Sequence, residues 1–93
     1  MFKPDKRLSV DSERAVWREI GDEVIVLDTS NATYLTLNAS ARVLWKRLDD
    51  GATPAELAAE LAGAFDLPAD QAEVDVNAFL STLEQLSLLS AGE

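Results

Sequence analysis

The chain has 93 residues, neither cysteine nor histidine, and a formal net charge of −9. That length gives one domain with a modest core, and an apolar fraction of 47% suits a folded chain. Without cysteine or histidine there is no disulfide framework, no thiolate zinc site and no Ser-His or Cys-His nucleophile pair. The composition therefore points away from an enzyme and calls for no cofactor or metal.

No apolar run approaches the length of a bilayer span. The start, Met1 to Arg7, has no hydrophobic region behind its charges, so a cytoplasmic location without a membrane partner is expected. All eight basic residues lie at or before Arg47: Lys3, Lys6, Arg7, Arg14, Arg18, Arg42, Lys46 and Arg47. From residue 48 to residue 93 there are ten acids and no base. Such a half repels phosphate backbones, which argues against nucleic acid, and attracts a basic peptide or a basic enzyme face. Its plainer use is solubility.

Residues 1–14 are polar and are expected to form a flexible arm, followed by a domain over residues 15–89 and a tail over residues 90–93. Val16-Trp17-Arg18-Glu19-Ile20 alternates loosely, and Gly21-Asp22-Glu23 has the character of a turn. Val24-Ile25-Val26-Leu27 is a β-branched run suited to a strand. Asp28-Thr29-Ser30-Asn31 is a second turn cluster, whose side chains bond their own backbone. Thr33-Tyr34-Leu35-Thr36-Leu37 follows as another short strand, which completes a three-stranded antiparallel meander.

The pattern changes at Asn38, a good helix N-cap. Beyond it Ala41, Leu44, Trp45 and Leu48 fall on one helical face, and Gly51 stands where a left-handed residue closes the helix. Thr53-Pro54-Ala55-Glu56 is a complete helix start with a capping box and proline in the first turn. Leu57, Leu61, Ala64 and Phe65 are the expected buried stripe of this second helix, which Leu67-Pro68 breaks. Asp70-Gln71-Ala72-Glu73 repeats the capping pattern and opens a third helix with the stripe Ala72, Val76, Phe79, Leu80, Leu83 and Leu86. The expected class is α+β and winged-helix-like, a three-stranded antiparallel β-sheet followed by three α-helices.

Candidate chemistry is sparse. Asp66, Asp70, Glu73 and Asp75 cluster at the start of the third helix, but they lack the glycine and terminal glutamate of a calcium loop, and acids are favoured there by the helix dipole. The four glycines are scattered and form no phosphate loop. Trp45 belongs on the apolar helix face, and Trp17 suits sheet packing better than a ligand platform. The most suggestive feature is the strand from Thr33 to Leu37, which has neither charge nor proline to blunt a free edge. An extended peptide pairing there would send side chains toward the third helix.

Several of these residues carry a resemblance. Tyr34-Leu35-Thr36-Leu37-Asn38, Ala41, Leu44-Trp45, Leu48, Gly51 and Thr53 resemble the coenzyme pyrroloquinoline quinone synthesis protein D family. So do Glu56-Leu57, Leu61, Phe65, Asp75-Val76, Phe79-Leu80, Leu83 and Leu88-Leu89. The likeness spans residues 16–89, and its force lies in the ordered series rather than in any one short motif. It implies a non-catalytic recognition element for ribosomally made, post-translationally modified peptides. The leader segment of a precursor peptide would add as a fourth, antiparallel strand beside the third helix. By position, the resemblance implies a peptide-binding set of Thr33, Tyr34, Leu35, Thr36, Leu37, Asp75, Val76, Phe79, Leu80 and Leu83. Within it, Val76, Phe79 and Leu80 would receive apolar leader side chains, and Asp75 a polar or basic contact.

Val26-Leu27-Asp28, a turn and Tyr34 resemble the leader-binding proteins of lasso-peptide clusters, whose partners are a leader peptidase and a macrocyclase. The Pro-Glu-Gly-like turn of the quinone-pathway members, which serve a radical S-adenosylmethionine enzyme as peptide chaperones, is missing. Three rivals remain. A DNA-binding winged helix needs a basic recognition helix, and the third helix region has no Lys or Arg. A carrier protein needs a serine at a helix start, yet the one Asp-Ser pair, Asp11-Ser12, falls in the polar arm. A structural subunit would use the same groove for a protein partner.

Overall fold

The computed structural model describes residues 2–11, 13–29 and 31–91. The element order is β1 (Leu8–Val10), β2 (Ala15–Ile20), β3 (Glu23–Asp28), β4 (Thr33–Leu37), α1 (Ala39–Asp49), α2 (Pro54–Phe65), α3 (Ala69–Gln85) and β5 (Leu89–Ala91). The expected meander is present as an antiparallel sheet in the order β2-β3-β4. Two residues, Gly21 and Asp22, join β2 to β3, and Gly21 takes a φ of +61 that its missing Cβ permits. Asp28, at the end of β3, is 1% exposed and accepts a hydrogen bond from Asn31 Nδ2 at 2.9 Å. The expected turn cluster there includes Ser30, which lies outside the described residues, as does Ser12 of the Asp-Ser pair.

The helix starts follow their chemistry with one exception. The Asn38 side chain accepts from the Ala41 amide at 2.9 Å and caps α1. At α2, Thr53 Oγ1 accepts from the Glu56 amide at 3.1 Å while Glu56 Oε1 accepts from the Thr53 amide at 2.9 Å, so the capping box is complete. Gly51 takes a φ of +88 just after α1, and a Cβ there would meet the Arg7 guanidinium at 3.0 Å. The exception is α3, which begins at Ala69 with Pro68 as an N-cap that offers no side-chain bond. Asp70 lies inside the first turn and not at the cap position; its carboxylate accepts from the Gln71 amide at 3.0 Å. Proline fixes its own φ and ends α2 beforehand, so the start falls earlier than the acidic pattern predicts.

The core lies between the inner face of the sheet and the helices. Trp45 is fully buried at its centre with Val24, Val26, Leu48, Leu57, Leu61, Leu80 and Leu83. In α2 the buried stripe is Leu57 and Leu61, with Ala58 and Ala62 packed against the core. Ala64 and Phe65, expected in that stripe, are exposed, because the chain turns away at Asp66 (φ +55).

The expectation of a flexible arm over residues 1–14 is corrected at β1. Leu8 and Val10 are 5% and 6% exposed, and β1 pairs antiparallel with β5. Leu8 also exchanges two backbone hydrogen bonds of 2.8 Å with Ala52, and the Asp11 amide donates to Leu88 O at 2.8 Å. Two alternating apolar residues sufficed to make a strand once a partner strand was in reach. The expected tail is corrected likewise, since Ser90 and Ala91 belong to β5, while residues 92 and 93 lie outside the described residues.

Candidate functional site

Strand β4 is an edge of its sheet: it pairs with β3 on one side and with no strand on the other among the described residues. Alternation along it sends Leu35 and Leu37 toward the core, half-buried and buried, while Tyr34 and Thr36 are exposed on the opposite face. None of its five residues is charged or proline, so the backbone groups of this edge are left available for pairing.

Beyond Leu37 the edge runs into a concave surface. A cavity of about 270 Å³ is lined by Asn38, Ser40 and Ala41 on one side and by Asp75, Ala78 and Phe79 of α3 on the other, over a floor of Leu44 and Leu61. The cap at Asn38 organises the near wall: Ser40 Oγ and the Ala41 amide both donate to Asn38 Oδ1, at 3.1 and 2.9 Å. On the far wall Gln71 Nε2 donates to Asp75 Oδ1 at 2.9 Å, one helical turn away. Asp75 is half-buried and has no ion pair among the described residues, so it offers a negative oxygen beside the half-buried ring of Phe79.

The residues expected to form one peptide-binding set thus divide in two. Asp75 and Phe79 line the cavity, while Thr33, Tyr34, Leu35, Thr36 and Leu37 form the strand edge that ends next to its Asn38 wall. Val76, Leu80 and Leu83 are 1%, 0% and 0% exposed and pack into the core beside that surface. At 3.6 residues per turn, positions 76, 80 and 83 form the stripe that packs inward, whereas 75, 78 and 79 form the neighbouring stripe at its margin. Asn38, Ser40, Ala41 and Ala78 were not singled out as lining residues. The spacing of Ala78 from Asp75 was the available signal, but small side chains carry none of their own.

Among the described residues no group of three or more acids converges to hold a metal ion, and no helix is long and apolar enough to cross a membrane. An uncharged strand edge opening onto an apolar notch with one acid at its rim is equipped to bind an extended chain.

Comparison with known proteins agrees with this geometry. The model of the coenzyme PQQ synthesis protein D (PqqD) family matches residues 23–89. The chain belongs to this family. The matched segment of the PqqD-family domain runs from β3 to β5 and contains the β4 edge and α3. Among solved structures, it is similar to TbiB1 in complex with the TbiA(beta) leader peptide, with a TM-score of 0.82 and 26% identity over 91% of this chain and 98% of that one. It also shares the fold of a lasso peptide synthetase B1 complexed with the leader peptide, with a TM-score of 0.78 and 23% identity over 89% of this chain and 96% of the other. No curated protein matched.

Proposed function

We propose that this PqqD-family domain is a non-catalytic recognition element of lasso-peptide biosynthesis, which captures the leader segment of a precursor peptide and presents it to the leader peptidase and macrocyclase of its pathway. The leader adds to β4 as a fourth, antiparallel strand. Main-chain hydrogen bonds along Thr33–Leu37 supply most of the affinity, and alternate leader side chains turn inward to the notch at Phe79. The observation that carries this reading is the continuity of the unpaired β4 edge with the cavity walled by Asp75, Ala78 and Phe79. The likeness to TbiB1, which is complexed with a leader peptide, supports it.

Asp75 at the rim favours a basic or hydrogen-bond-donating leader residue next to the apolar anchor. Leu80 and Val76 act behind Phe79 by holding its helix in place rather than by touching the leader. The test is titration of the isotope-labelled chain with synthetic leader peptides from precursors encoded beside its own gene. Amide shifts are expected at β4 and at Asp75, Ala78 and Phe79. A folded chain that binds no such leader would overturn the reading.

A further inference from the structure

Helix α3 borders a second cavity, on the flank away from the Phe79 notch. It measures about 310 Å³ and is walled by Phe2 and Pro4 of the N-terminal segment, Pro54 and Ala55 at the start of α2, and Val76 and Asn77 of α3, with Glu73 at its rim. The N-terminal segment is held there: the Ala55 amide donates to Pro4 O at 3.1 Å, and Phe2 is half-buried against the core. Glu73 is the one charge of the lining, is exposed, and has no ion pair among the described residues. Such a space admits an apolar side chain, whereas a small-molecule site needs several converging polar groups. At about 100° per residue, the surface of α3 runs from Phe79 and Asp75 through Ala78 and Val74 to Asn77 and Glu73. The first two line the notch and the last two line the second cavity. Between them Ala78 and Val74, one turn apart, form an uncharged exposed strip, with Val74 62% exposed.

We infer that this cavity is a second anchor for the precursor: the leader segment upstream of the β4-paired strand crosses α3 over Ala78 and Val74, buries an apolar side chain between Pro54 and Asn77, and sets a basic neighbour against Glu73. The inference rests on the leader-binding reading above, and three observations choose the occupant. The first is polarity. A strand antiparallel to β4 has its N-terminal end at Leu37, where the edge meets the notch, so upstream leader residues are delivered to α3 while downstream ones leave past Thr33. The second is distance. A helix is about 10–12 Å across with its side chains, and an extended chain covers ~3.3 Å per residue, so about four residues reach from the notch to the second cavity. The third is charge. Apart from Phe2 and Pro4, the cavity is built by the half of the chain that carries ten acids and no base, which draws a basic segment across α3. The two anchors then grip α3 from both flanks, and joining them in one peptide raises affinity beyond either contact alone.

The experiment uses the full chain and two fluorescent synthetic leaders of the precursor encoded beside its gene. One leader is complete; the other is cut back from its N-terminus to the strand that pairs with β4, as located by NOEs between leader and β4 amides. Affinities are read by anisotropy for the wild type, for Ala55→Trp, which fills the cavity from an exposed position, and for Glu73→Lys, which reverses its rim charge. The wild type is expected to bind the complete leader roughly tenfold more tightly than the shortened one, the order that burial of one apolar side chain gives. In Ala55→Trp that advantage is expected to vanish, and in Glu73→Lys to shrink, while both variants bind the shortened leader like the wild type, which also reports that they are folded. Failure of the wild type to bind either leader sinks the leader reading and this inference together. If both leaders bind the wild type equally, or if shortening costs Ala55→Trp as much as it costs the wild type, the second anchor alone is overturned.

Discussion

The indole of Trp17 on β2 meets that of Trp45 on α1 edge-on, with ring centroids 6.5 Å apart and planes at 80°. Trp45 is fully buried and Trp17 is half-buried at the inner margin of the sheet, so the contact ties the sheet to the helical layer. Edge-to-face pairs of this kind contribute about 0.5–1.5 kcal/mol beyond the area they bury. A double-mutant cycle with Trp17→Leu and Trp45→Leu in urea denaturation is expected to give a coupling energy of that order. Additive effects would mean that the two rings stabilise the domain independently. Trp45 Nε1 is buried with no hydrogen-bond partner among the described residues, so Trp45→Phe is expected to cost less than lost volume alone suggests.

The capping box at the start of α2 gives a second, pH-dependent prediction. Chiefly the hydrogen bond from the Thr53 amide, and to a lesser degree the charges of Arg47 and Arg7, hold the Glu56 carboxyl below its ordinary pKa of 4.5. A carboxyl with a lowered folded pKa stabilises the fold fully above its unfolded value and loses that contribution as pH falls through the folded one. The melting temperature of Glu56→Gln should therefore lie below that of the wild type at pH 7 and converge with it as pH falls below 4.5. Thr53→Ala removes the other half of the box and is expected to cost about 1 kcal/mol at neutral pH.

The architecture was legible wherever chemistry is local. The Asn38 cap, the Thr53–Glu56 box, the left-handed Gly51 and the Val24–Leu27 run each announce themselves within a few residues. What escaped was set by partners distant in the chain. Leu8 and Val10 become a strand because Leu89–Ala91 passes beside them, roughly 80 residues later. The wall residues Ser40, Ala41 and Ala78 are too small to stand out, and only the docking of α3 near α1 makes them a surface. The apolar stripe of α3 likewise does not state which of its residues are fully covered: Val76 and Leu80 are buried, and Phe79 beside them is only half-buried.

The β1–β5 pairing makes the N-terminal segment part of the fold. Leu8→Ala empties a buried site bordered by Ala52 and β5, and is expected to destabilise the domain by about 2–4 kcal/mol in urea denaturation. Deleting residues 1–10 should destabilise it further, by stripping both Leu8 and Val10 from the core. A truncated chain that unfolds at the same urea concentration as the intact one would show that β1 merely rests on the surface.

Phe79 and Leu80 are neighbours in sequence with different work to do. Leu80 is fully buried, and Leu80→Ala is expected to lower stability by about 2–5 kcal/mol. Phe79 faces the notch at the margin of the core, so Phe79→Ala should weaken leader binding more than it weakens the fold. Parallel denaturation and anisotropy measurements separate the two. Equal loss of affinity in both variants, measured under conditions where both are folded, would move the contact from the notch to the helix as a whole.

Asp75 supplies the electrostatic part of recognition. Its carboxylate has Gln71 as neighbour and, among the described residues, no basic group in ion-pair range, and it lies within a half of the chain that carries ten acids and no base. A basic leader residue meeting it does so at a half-exposed site, where the interaction is screened over a distance of ~8–10 Å at physiological ionic strength. Leader affinity is therefore expected to fall as salt rises, and Asp75→Asn to lower affinity at low salt by about 0.5–1 kcal/mol while flattening the salt dependence. If Asp75→Asn loses affinity but keeps the full salt slope, the attraction comes from the acidic surface at large and Asp75 serves only as a hydrogen-bond acceptor. If affinity does not change with salt in either protein, the leader reaches this rim without its charge, and recognition rests on the β4 backbone and the Phe79 notch.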